Sequence, residues 1–210
     1  MKKRVLISAL LVLAALAAVS FVSWPCHAPD ASKLRDGDIV FHESTSVVAP
    51  VIRLGQRSRW THCGIIFFED GRPYVYEALD PVRKTPLDRW LARGGGNSKV
   101  MRLKEPLSDK EMKAVKREAR AMLGRHYDTV FAWDDGRIYC SELVWKAYDR
   151  GAGIRLCEPT SVRKMGLDNR LVRFLAAKKI GKDRVDGISG DEPLVTPAQI
   201  AKSGKLRKVR

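Results

Sequence analysis

Runs of apolar and β-branched residues in the first half of the chain predict strands. Residues 39–42 form one short run, and residues 63–68 and 74–78 form two longer ones. The dipeptide Asp-Gly at positions 70–71 stands between the two longer runs and is typical of tight hairpin turns. We therefore predict that these two runs pair as an antiparallel hairpin. A further strand is predicted over residues 99–103.

Helical signals lie mostly in the second half of the chain. Ser108 and Glu111 have the spacing of a capping box, which predicts the start of a helix. Residues 137–148, RIYCSELVWKAY, are typical of a buried helix with Cys140 at its N-terminus. A short helix is also predicted over residues 44–55. Strands that are followed by helices indicate an α+β fold.

The length of the chain and its composition suit a single domain. With 210 residues, 45% of them hydrophobic, the chain can bury one sizeable core, and no internal repeat is present. We predict that this domain covers residues 31–177. Residues 178–210 are rich in lysine and arginine, and we predict that they form a basic C-terminal extension. That extension either rests on anionic lipid or is a solvated tail.

The first 30 residues have the pattern of an export segment. Lys2, Lys3 and Arg4 precede an uncharged, apolar stretch over residues 5–24. This order is typical of a signal peptide or of an N-terminal membrane anchor. The small residues Ala15 and Ala17, on either side of Leu16, offer a cleavage site. The length of the stretch also suits a membrane span, so both alternatives stay open. We predict a protein that is exported to the periplasm, or anchored in the inner membrane and facing the periplasm.

The charge of the chain narrows the class of partner. The formal net charge is +15, from 39 basic and 24 acidic residues. Such an excess favours an anionic partner. Because the chain is predicted to be exported, we do not expect that partner to be nucleic acid. An acidic lipid surface and a cell-wall polymer remain as candidates.

The four cysteines, Cys26, Cys63, Cys140 and Cys157, have spacings that match no disulfide framework. No Cys-x-x-Cys pair and no His-x-x-x-His spacing occurs, so the sequence predicts no metal and no cofactor. Alternation along a strand turns the side chain of Cys63 away from that of its neighbour His62. We therefore interpret Cys63 as a core residue, and Cys157 as a structural one.

Cys140 has a second interpretation besides burial in the core. The unpaired N–H groups at a helix N-terminus and their partial positive charge stabilise a thiolate. The predicted hairpin places His62 and Glu77 at the same end of its two strands, where both side chains can reach one site. A thiol, a histidine and a carboxylate in one place are the parts of a nucleophilic catalytic site.

Five blocks of this sequence resemble, in the same order, the YiiX-type proteins, bacterial members of the circularly permuted papain-like (NlpC-like) superfamily. The blocks are GDIVF at 37–41, THCG at 61–64, YVYEALDPVRKTPLDRW at 74–90, GRHYD at 124–128 and RIYCSELVWKAY at 137–148. The resemblance spans roughly residues 34–156. It implies a permuted papain-like α+β fold in which an antiparallel sheet packs with helices. The histidine and its polar partner come first, on strands, and the cysteine follows at a helix N-terminus.

The resemblance implies that Cys140 is the nucleophile, His62 its general base and Glu77 the group that orients the imidazole. It also implies attack on an amide or ester bond through an acyl-enzyme. We predict an exported cysteine hydrolase that cleaves an amide, peptide-like bond, for example in a cell-wall peptide. Two alternatives stay open. One is a lipid esterase, thioesterase or acyltransferase with the same three residues, and the other is a catalytically idle binding module of the cell envelope.

Other polar residues lie near these blocks. His42 and His126 are assigned no role, and we interpret Tyr127 and Asp128 as packing and turn residues. Glu142 is assigned to stabilising the helix N-terminus at Cys140. None of these residues belongs to the predicted catalytic set.

Overall fold

The computed structural model describes residues 29–44, 49, 53, 56, 58–94, 97–165, 168 and 170–209. Helices cover both faces of a six-stranded antiparallel sheet. The strands are β1 (Asp38–His42), β2 (His62–Glu69), β3 (Arg72–Glu77), β4 (Arg83–Pro86), β5 (Ser98–Leu103), β6 (His126–Tyr127), β7 (Arg137–Ile138), β8 (Thr160–Ser161), β9 (Pro193–Leu194) and β10 (Leu206–Lys208). The helices are α1 (Leu87–Arg93), α2 (Asp109–Ala121), α3 (Cys140–Ala152), α4 (Arg170–Ile180), α5 (Lys182–Asp186) and α6 (Pro197–Ala201). This architecture confirms the predicted α+β class.

The main sheet has the strand order β10-β5-β1-β2-β3-β4, and every neighbouring pair is antiparallel. The predicted hairpin is present as β2 and β3, with Glu69 opposite Arg72 next to the turn. Asp70 and Gly71 form that turn with φ values of 50° and 74°. Asp and Gly tolerate this left-handed conformation, so the dipeptide determines where the chain reverses.

The two faces of the sheet bury different helices. Ile65 and Phe67 of β2 pack with α2 and α3 in the main core, which also contains Leu143. The residue between them, Ile66, faces the other way and packs with Trp90 of α1. The first nine residues of α3 are buried, because this helix contacts both β2 and α2. The period-2 alternation of β2 therefore separates two apolar layers.

Helix α2 begins at the predicted capping box. The hydroxyl of Ser108 accepts a hydrogen bond from the backbone N–H of Glu111 at 3.3 Å. The carboxylate of Glu111 in turn accepts from the backbone N–H of Ser108 at 2.8 Å. These reciprocal bonds satisfy two donors that a helix N-terminus otherwise leaves unpaired.

The C-terminal residues belong to the domain, contrary to the predicted extension over 178–210. Strand β10 lies at the edge of the main sheet beside β5, with Leu206 opposite Leu103. Ile200 of α6 and Leu206 are both buried in the main core. The apolar positions of this segment are few and lie between lysines and arginines, so no hydrophobic period indicated a buried element.

The burial of α6 predicts a clear difference between two of its neighbouring residues. Ile200→Ala is expected to lower the free energy of unfolding by about 3 kcal/mol, because it leaves a cavity in the main core. Lys202→Ala, at the exposed end of the same helix, is expected to change it by less than about 0.5 kcal/mol. Urea denaturation of both variants measures the difference. Equal, small effects would show that the C-terminal segment is detached from the core.

Two predicted segments fall largely outside the described residues. The apolar stretch over residues 5–24 is not described, and the short helix predicted over residues 44–55 is described only at isolated positions. Within the described ranges, no helix combines the length and the apolar character that a membrane crossing requires.

Candidate active site

The predicted histidine and carboxylate meet at one end of the sheet. His62 is the first residue of β2 and Glu77 is the last residue of β3. The register of the hairpin places Tyr76 opposite Ile65, so Glu77 lies beside Gly64 and diagonally from His62, on the same face. The Nε2 atom of His62 lies 2.6 Å from Oε2 of Glu77. This bond joins two strands whose residues are 15 positions apart in the sequence.

Gly64 makes this close approach possible. A Cβ atom at this position would lie 2.5 Å from Cγ1 of Val75 and 2.7 Å from the carbonyl oxygen of Tyr76. Both distances are shorter than van der Waals contact allows, so a side chain would push β3 away from β2. The glycine of the THCG block therefore holds the two strands at the distance that the bond between His62 and Glu77 requires.

Glu77 is fully buried, and four side chains hold its carboxylate in place. Besides His62, the hydroxyl of Thr85 donates to Oε1 at 2.6 Å, and the indole N–H of Trp90 donates to Oε2 at 3.0 Å. The guanidinium of Arg93 also pairs with Oε1. Burial alone would raise the pKa of Glu77, but the hydrogen bond and charge of His62, the hydrogen bond from Thr85 and the charge of Arg93 lower it to about 2. The carboxylate is therefore ionised and fixed in orientation.

Three of these four partners come from elements beyond the hairpin, and sequence reasoning did not predict them. Thr85 belongs to β4, and Trp90 and Arg93 belong to α1. Thr85 and Trp90 lie in the block that ends in TPLDRW, one of the five that carry the family resemblance, but the residue pattern of that block indicates no role for either. Their function is visible only when β4 pairs with β3 and α1 folds back over the end of the hairpin.

Cys140 completes the set of predicted residues, because it is the first residue of α3 and lies against the same end of the sheet. Its sulfur interacts with the side chains of Cys63 and His62. The thiol of Cys63 and the positive charge of His62 lower the pKa of Cys140 well below its ordinary value, although burial opposes them. The structure thus brings His62, Glu77 and Cys140 together at one site.

The charge state of His62 follows from its two partners. Burial would lower the pKa of the imidazole, but hydrogen bonds to Cys140 and to Glu77 raise it to about 9. Near neutral pH, the pair is therefore a thiolate beside an imidazolium. Because Nε2 faces Glu77, Nδ1 is the ring nitrogen that remains for Cys140.

Two residues outside the predicted set also contact the sulfur of Cys140. Cys63 is buried in the core, as predicted, but its thiol also interacts with the sulfur of Cys140. The hydroxyl of Tyr127, predicted to be a packing or turn residue, interacts with this sulfur as well. Burial and the nearby thiolate raise the pKa values of both donors, so both stay protonated. Nothing in the strand pattern around Cys63 or the GRHYD block indicates these contacts.

His42 and Trp90 surround the imidazole of His62. The ring of His42 lies edge-on to His62 at 5.0 Å and to Trp90 at 4.2 Å. Burial, together with the charge of His62, lowers the pKa of His42 to about 3, so this ring is neutral. His42 thus packs against the imidazolium without repelling it.

Polar contacts anchor the start of α3 and so fix the position of Cys140. Oε2 of Glu142 accepts a hydrogen bond from the backbone N–H of Tyr139 at 3.2 Å. Lys146, also buried, lies 2.6 Å from Oε1 of Glu142. The hydroxyl of Ser141 donates to the carbonyl oxygen of Val195 at 2.8 Å, which ties α3 to the C-terminal segment. These contacts agree with the structural assignment of Glu142.

The thiol of Cys63 makes a testable contribution to the acidity of Cys140. Cys63→Ala is expected to raise the pKa of Cys140 and to slow its alkylation below neutral pH by roughly tenfold, since a donor beside the charged sulfur is lost. Cys63→Ser keeps a donor and is expected to react at nearly the original rate. The measurement is the rate of iodoacetamide labelling of Cys140 against pH. An unchanged pH midpoint in Cys63→Ala would contradict this role.

The order of these residues along the chain defines the class. The histidine and its carboxylate partner lie on strands that precede the cysteine, which begins a helix, so the protein has the circularly permuted form of the papain-like fold. The model of the family described as permuted papain-like amidase enzyme, YaeF/YiiX, C92 family, matches residues 33–210. The chain belongs to this family.

Two relatives from Escherichia coli are similar over most of their length. The chain is 32% identical over 201 residues to the uncharacterized protein YiiX of strain K12, which covers 95% of this chain and 94% of YiiX. It is also similar to the crystal structure of yiiX from strain O157:H7, with a TM-score of 0.77 and 34% identity. That comparison covers 85% of this chain and 97% of the solved one.

The solved yiiX structure is described as that of a metalloprotein. In the part of this chain that the structure describes, no three side chains of histidine, cysteine, aspartate or glutamate are grouped so that they could hold a metal ion. His62 also has Nε2 directed to Glu77. The described residues therefore do not fit a metal centre, and no step of the proposed reaction involves one.

Proposed function

We propose that this protein is a cysteine hydrolase that cleaves an amide, peptide-like bond through a catalytic triad of Cys140, His62 and Glu77. The observation that carries the proposal is the 2.6 Å bond between the Glu77 carboxylate and the imidazole of His62, together with the sulfur of Cys140, whose charge interacts with the same imidazole. Membership of a permuted papain-like amidase family supports the choice of an amide substrate.

The first half of the reaction uses the thiolate and the imidazolium. The sulfur of Cys140 attacks the carbonyl carbon of the substrate and forms a tetrahedral intermediate. The carbon–nitrogen bond then breaks, and His62 donates its proton to the departing amine. The product is an acyl-enzyme in which the substrate acyl group is a thioester of Cys140. Glu77 accepts the Nε2–H bond of His62 and so keeps Nδ1 directed towards the sulfur.

The second half regenerates the enzyme. His62, now neutral, accepts a proton from water, and the resulting hydroxide equivalent attacks the thioester. The carbon–sulfur bond breaks, which releases the carboxylic acid and returns the thiolate of Cys140 beside the imidazolium of His62. An acceptor other than water would turn the same step into acyl transfer.

The tetrahedral intermediate requires hydrogen-bond donors for its oxyanion. The backbone N–H of Cys140 is free of intrahelical bonds, because it belongs to the first turn of α3. We assign the hydroxyl of Tyr127 as the second donor, since it is protonated and interacts with the sulfur of Cys140. A carbonyl attacked by this sulfur would place its oxygen within reach of both donors.

We further propose that the enzyme acts outside the cytoplasm on a cell-wall peptide. The apolar N-terminal stretch that follows Lys2, Lys3 and Arg4 supports export. The net charge of +15 supports work near an anionic envelope.

The decisive experiment measures which substrates acylate Cys140. The purified full-length chain is incubated with cell-wall peptide amides and with long-acyl esters, and the intact mass of the trapped acyl-enzyme is determined. We expect a peptidyl adduct on Cys140. If only long-acyl esters form adducts, the protein is a lipid esterase or acyltransferase and not an amidase. A thiolate that alkylates rapidly but takes up neither acyl group would indicate an idle binding module.

A further inference from the structure

A basic groove of about 620 Å³ lies on the protein where the start of the described chain meets the edge of the main sheet. Five of its lining residues are positively charged: Lys33, Arg35, Arg102, Arg207 and Lys208. The first two come from the segment that leads into β1, Arg102 comes from β5, and the last two come from β10. The groove is thus built from three parts of the chain that are distant in sequence.

One of these cations is structural and organises the groove. Nε and Nη2 of Arg102 lie 2.6 and 2.7 Å from the two carboxylate oxygens of the buried Asp38. The guanidinium also donates to the carbonyl oxygen of Lys33 at 2.7 Å. Arg102 therefore uses its fork of donors to hold the entering segment against the sheet.

The other cations lack comparable partners. The side chains of Arg35, Arg207 and Lys208 form no hydrogen bond or ion pair with any residue that the structure describes, and all three are exposed. Lys33 lies 4.0 Å from an exposed carboxylate oxygen of Asp30. Four positive side chains thus converge on the groove with one weak acidic contact among them.

The register of the sheet adds a local cost to this arrangement. Arg207 of β10 lies directly opposite Arg102 of β5, and like charges that face each other across two strands are destabilising. Burial and the charge of Lys208 also lower the pKa of Lys99 on β5. An anion in the groove would remove this repulsion.

We propose that the basic groove binds the phosphate group of an anionic membrane lipid. Phosphate is the anion that suits exposed arginine and lysine side chains, because arginine donates to two of its oxygens at once. The position of the groove indicates that a membrane lipid supplies this phosphate. Lys33 and Arg35 come about ten residues after the apolar stretch over 5–24, so a chain held by that stretch would bring the groove to the membrane surface.

The groove differs from the candidate active site in both residues and chemistry. None of its five cations contacts Cys140, His62 or Glu77. The proposal therefore does not depend on the proposed amidase activity, and it predicts where the enzyme works rather than what it cleaves.

A charge-matched pair of double variants tests the proposal in the full-length chain. Arg207→Gln with Lys208→Gln removes two charges from the groove. Lys110→Gln with Lys113→Gln removes two exposed charges from α2, which packs on the main core. Binding is measured to vesicles of phosphatidylcholine alone and to vesicles with equal parts of phosphatidylglycerol. The N-terminal segment is the same in all proteins, so its own contribution cancels.

We expect the groove variant to bind the phosphatidylglycerol vesicles about 30-fold more weakly than the original protein. The α2 variant is expected to lose much less affinity for the same vesicles. Binding to phosphatidylcholine is expected to be equal for all three. The groove variant should also melt at the same temperature or higher, because the repulsion at Arg207 is relieved. Equal losses in the two variants would overturn the proposal, since they would reflect net charge alone.

A second measurement separates the lipid from free phosphate. Inorganic phosphate is added at constant ionic strength, and the melting temperature of each protein is followed. One outcome is that phosphate raises the melting temperature of the original protein but not that of the groove variant, while binding to phosphatidylglycerol vesicles does not depend on Arg207 and Lys208. In that case the groove binds a soluble anion and the lipid proposal is overturned. If both ligands depend on the two residues, the lipid assignment stands.

Discussion

Cys140→Ala is expected to lower turnover of the peptide amide by at least about 10⁴-fold, because the thiolate that we propose as the nucleophile is lost. The fold is expected to remain, since the substitution removes one sulfur atom at the N-terminus of α3 and none of the contacts of Glu142 and Ser141 that anchor the helix. Turnover and the melting temperature are measured on the same preparation. The loss of activity should therefore occur without a matching loss of stability.

Cys157→Ala is the matched control for this experiment. Burial, and the charge of Glu158, raise the pKa of Cys157 to about 12, so its thiol is protonated near neutral pH and is not expected to contribute to turnover. The triad would be refuted if Cys140→Ala kept most of its activity. It would also be refuted if both cysteine variants lost activity in proportion to their loss of stability.

Glu77→Gln is expected to lower turnover by about 10³- to 10⁴-fold, as loss of the orienting carboxylate does in comparable triads. The hydrogen bond and charge of Glu77 help to raise the pKa of His62 from its ordinary 6.5 to about 9. Without them, the imidazolium loses its proton at lower pH. The alkaline limb of the activity profile, which is expected near the His62 pKa of about 9 in the original protein, should therefore move towards neutral pH.

The sign of this shift distinguishes the role of Glu77 from a purely structural one. A structural defect would reduce turnover at every pH and leave the limb where it is. Glu69→Gln provides the control on the same hairpin, because this carboxylate binds Tyr76 and Lys84 at the turn end, away from the site. We expect Glu69→Gln to leave the alkaline limb unchanged. A limb that does not move in Glu77→Gln would contradict the proposed electrostatic role.

Local sequence patterns determined much of the fold. The Asp-Gly turn, the apolar strands beside it and the capping box at Ser108 depend on residues a few positions apart, and all three were confirmed. The position of Cys140 at a helix N-terminus was confirmed in the same way. The hairpin also places His62 and Glu77 at one end of β2 and β3, because pairing of adjacent strands follows directly from the turn.

Tertiary structure decided the features that join distant parts of the chain. Arg93 and Trp90 reach Glu77 only because α1 folds back over the hairpin. The thiol of Cys63 reaches Cys140 only because the N-terminus of α3 packs on β2 next to Cys63. Strand β10 joins the main sheet and contributes two residues to the basic groove, although the composition of its segment indicates an extension. No spacing within the sequence records such contacts.

The physical reason is the range of the interactions concerned. Hydrogen bonds in turns and caps form between near neighbours, so residue type and spacing determine them before the chain folds. The pKa values of Cys140 and His62 depend on burial and on charged groups from separate elements. Burial and these charged neighbours exist only after the elements have packed into the core. The sequence by itself therefore determined the elements and the kinds of residue at the site, while the tertiary structure alone decided their charge states and their partners.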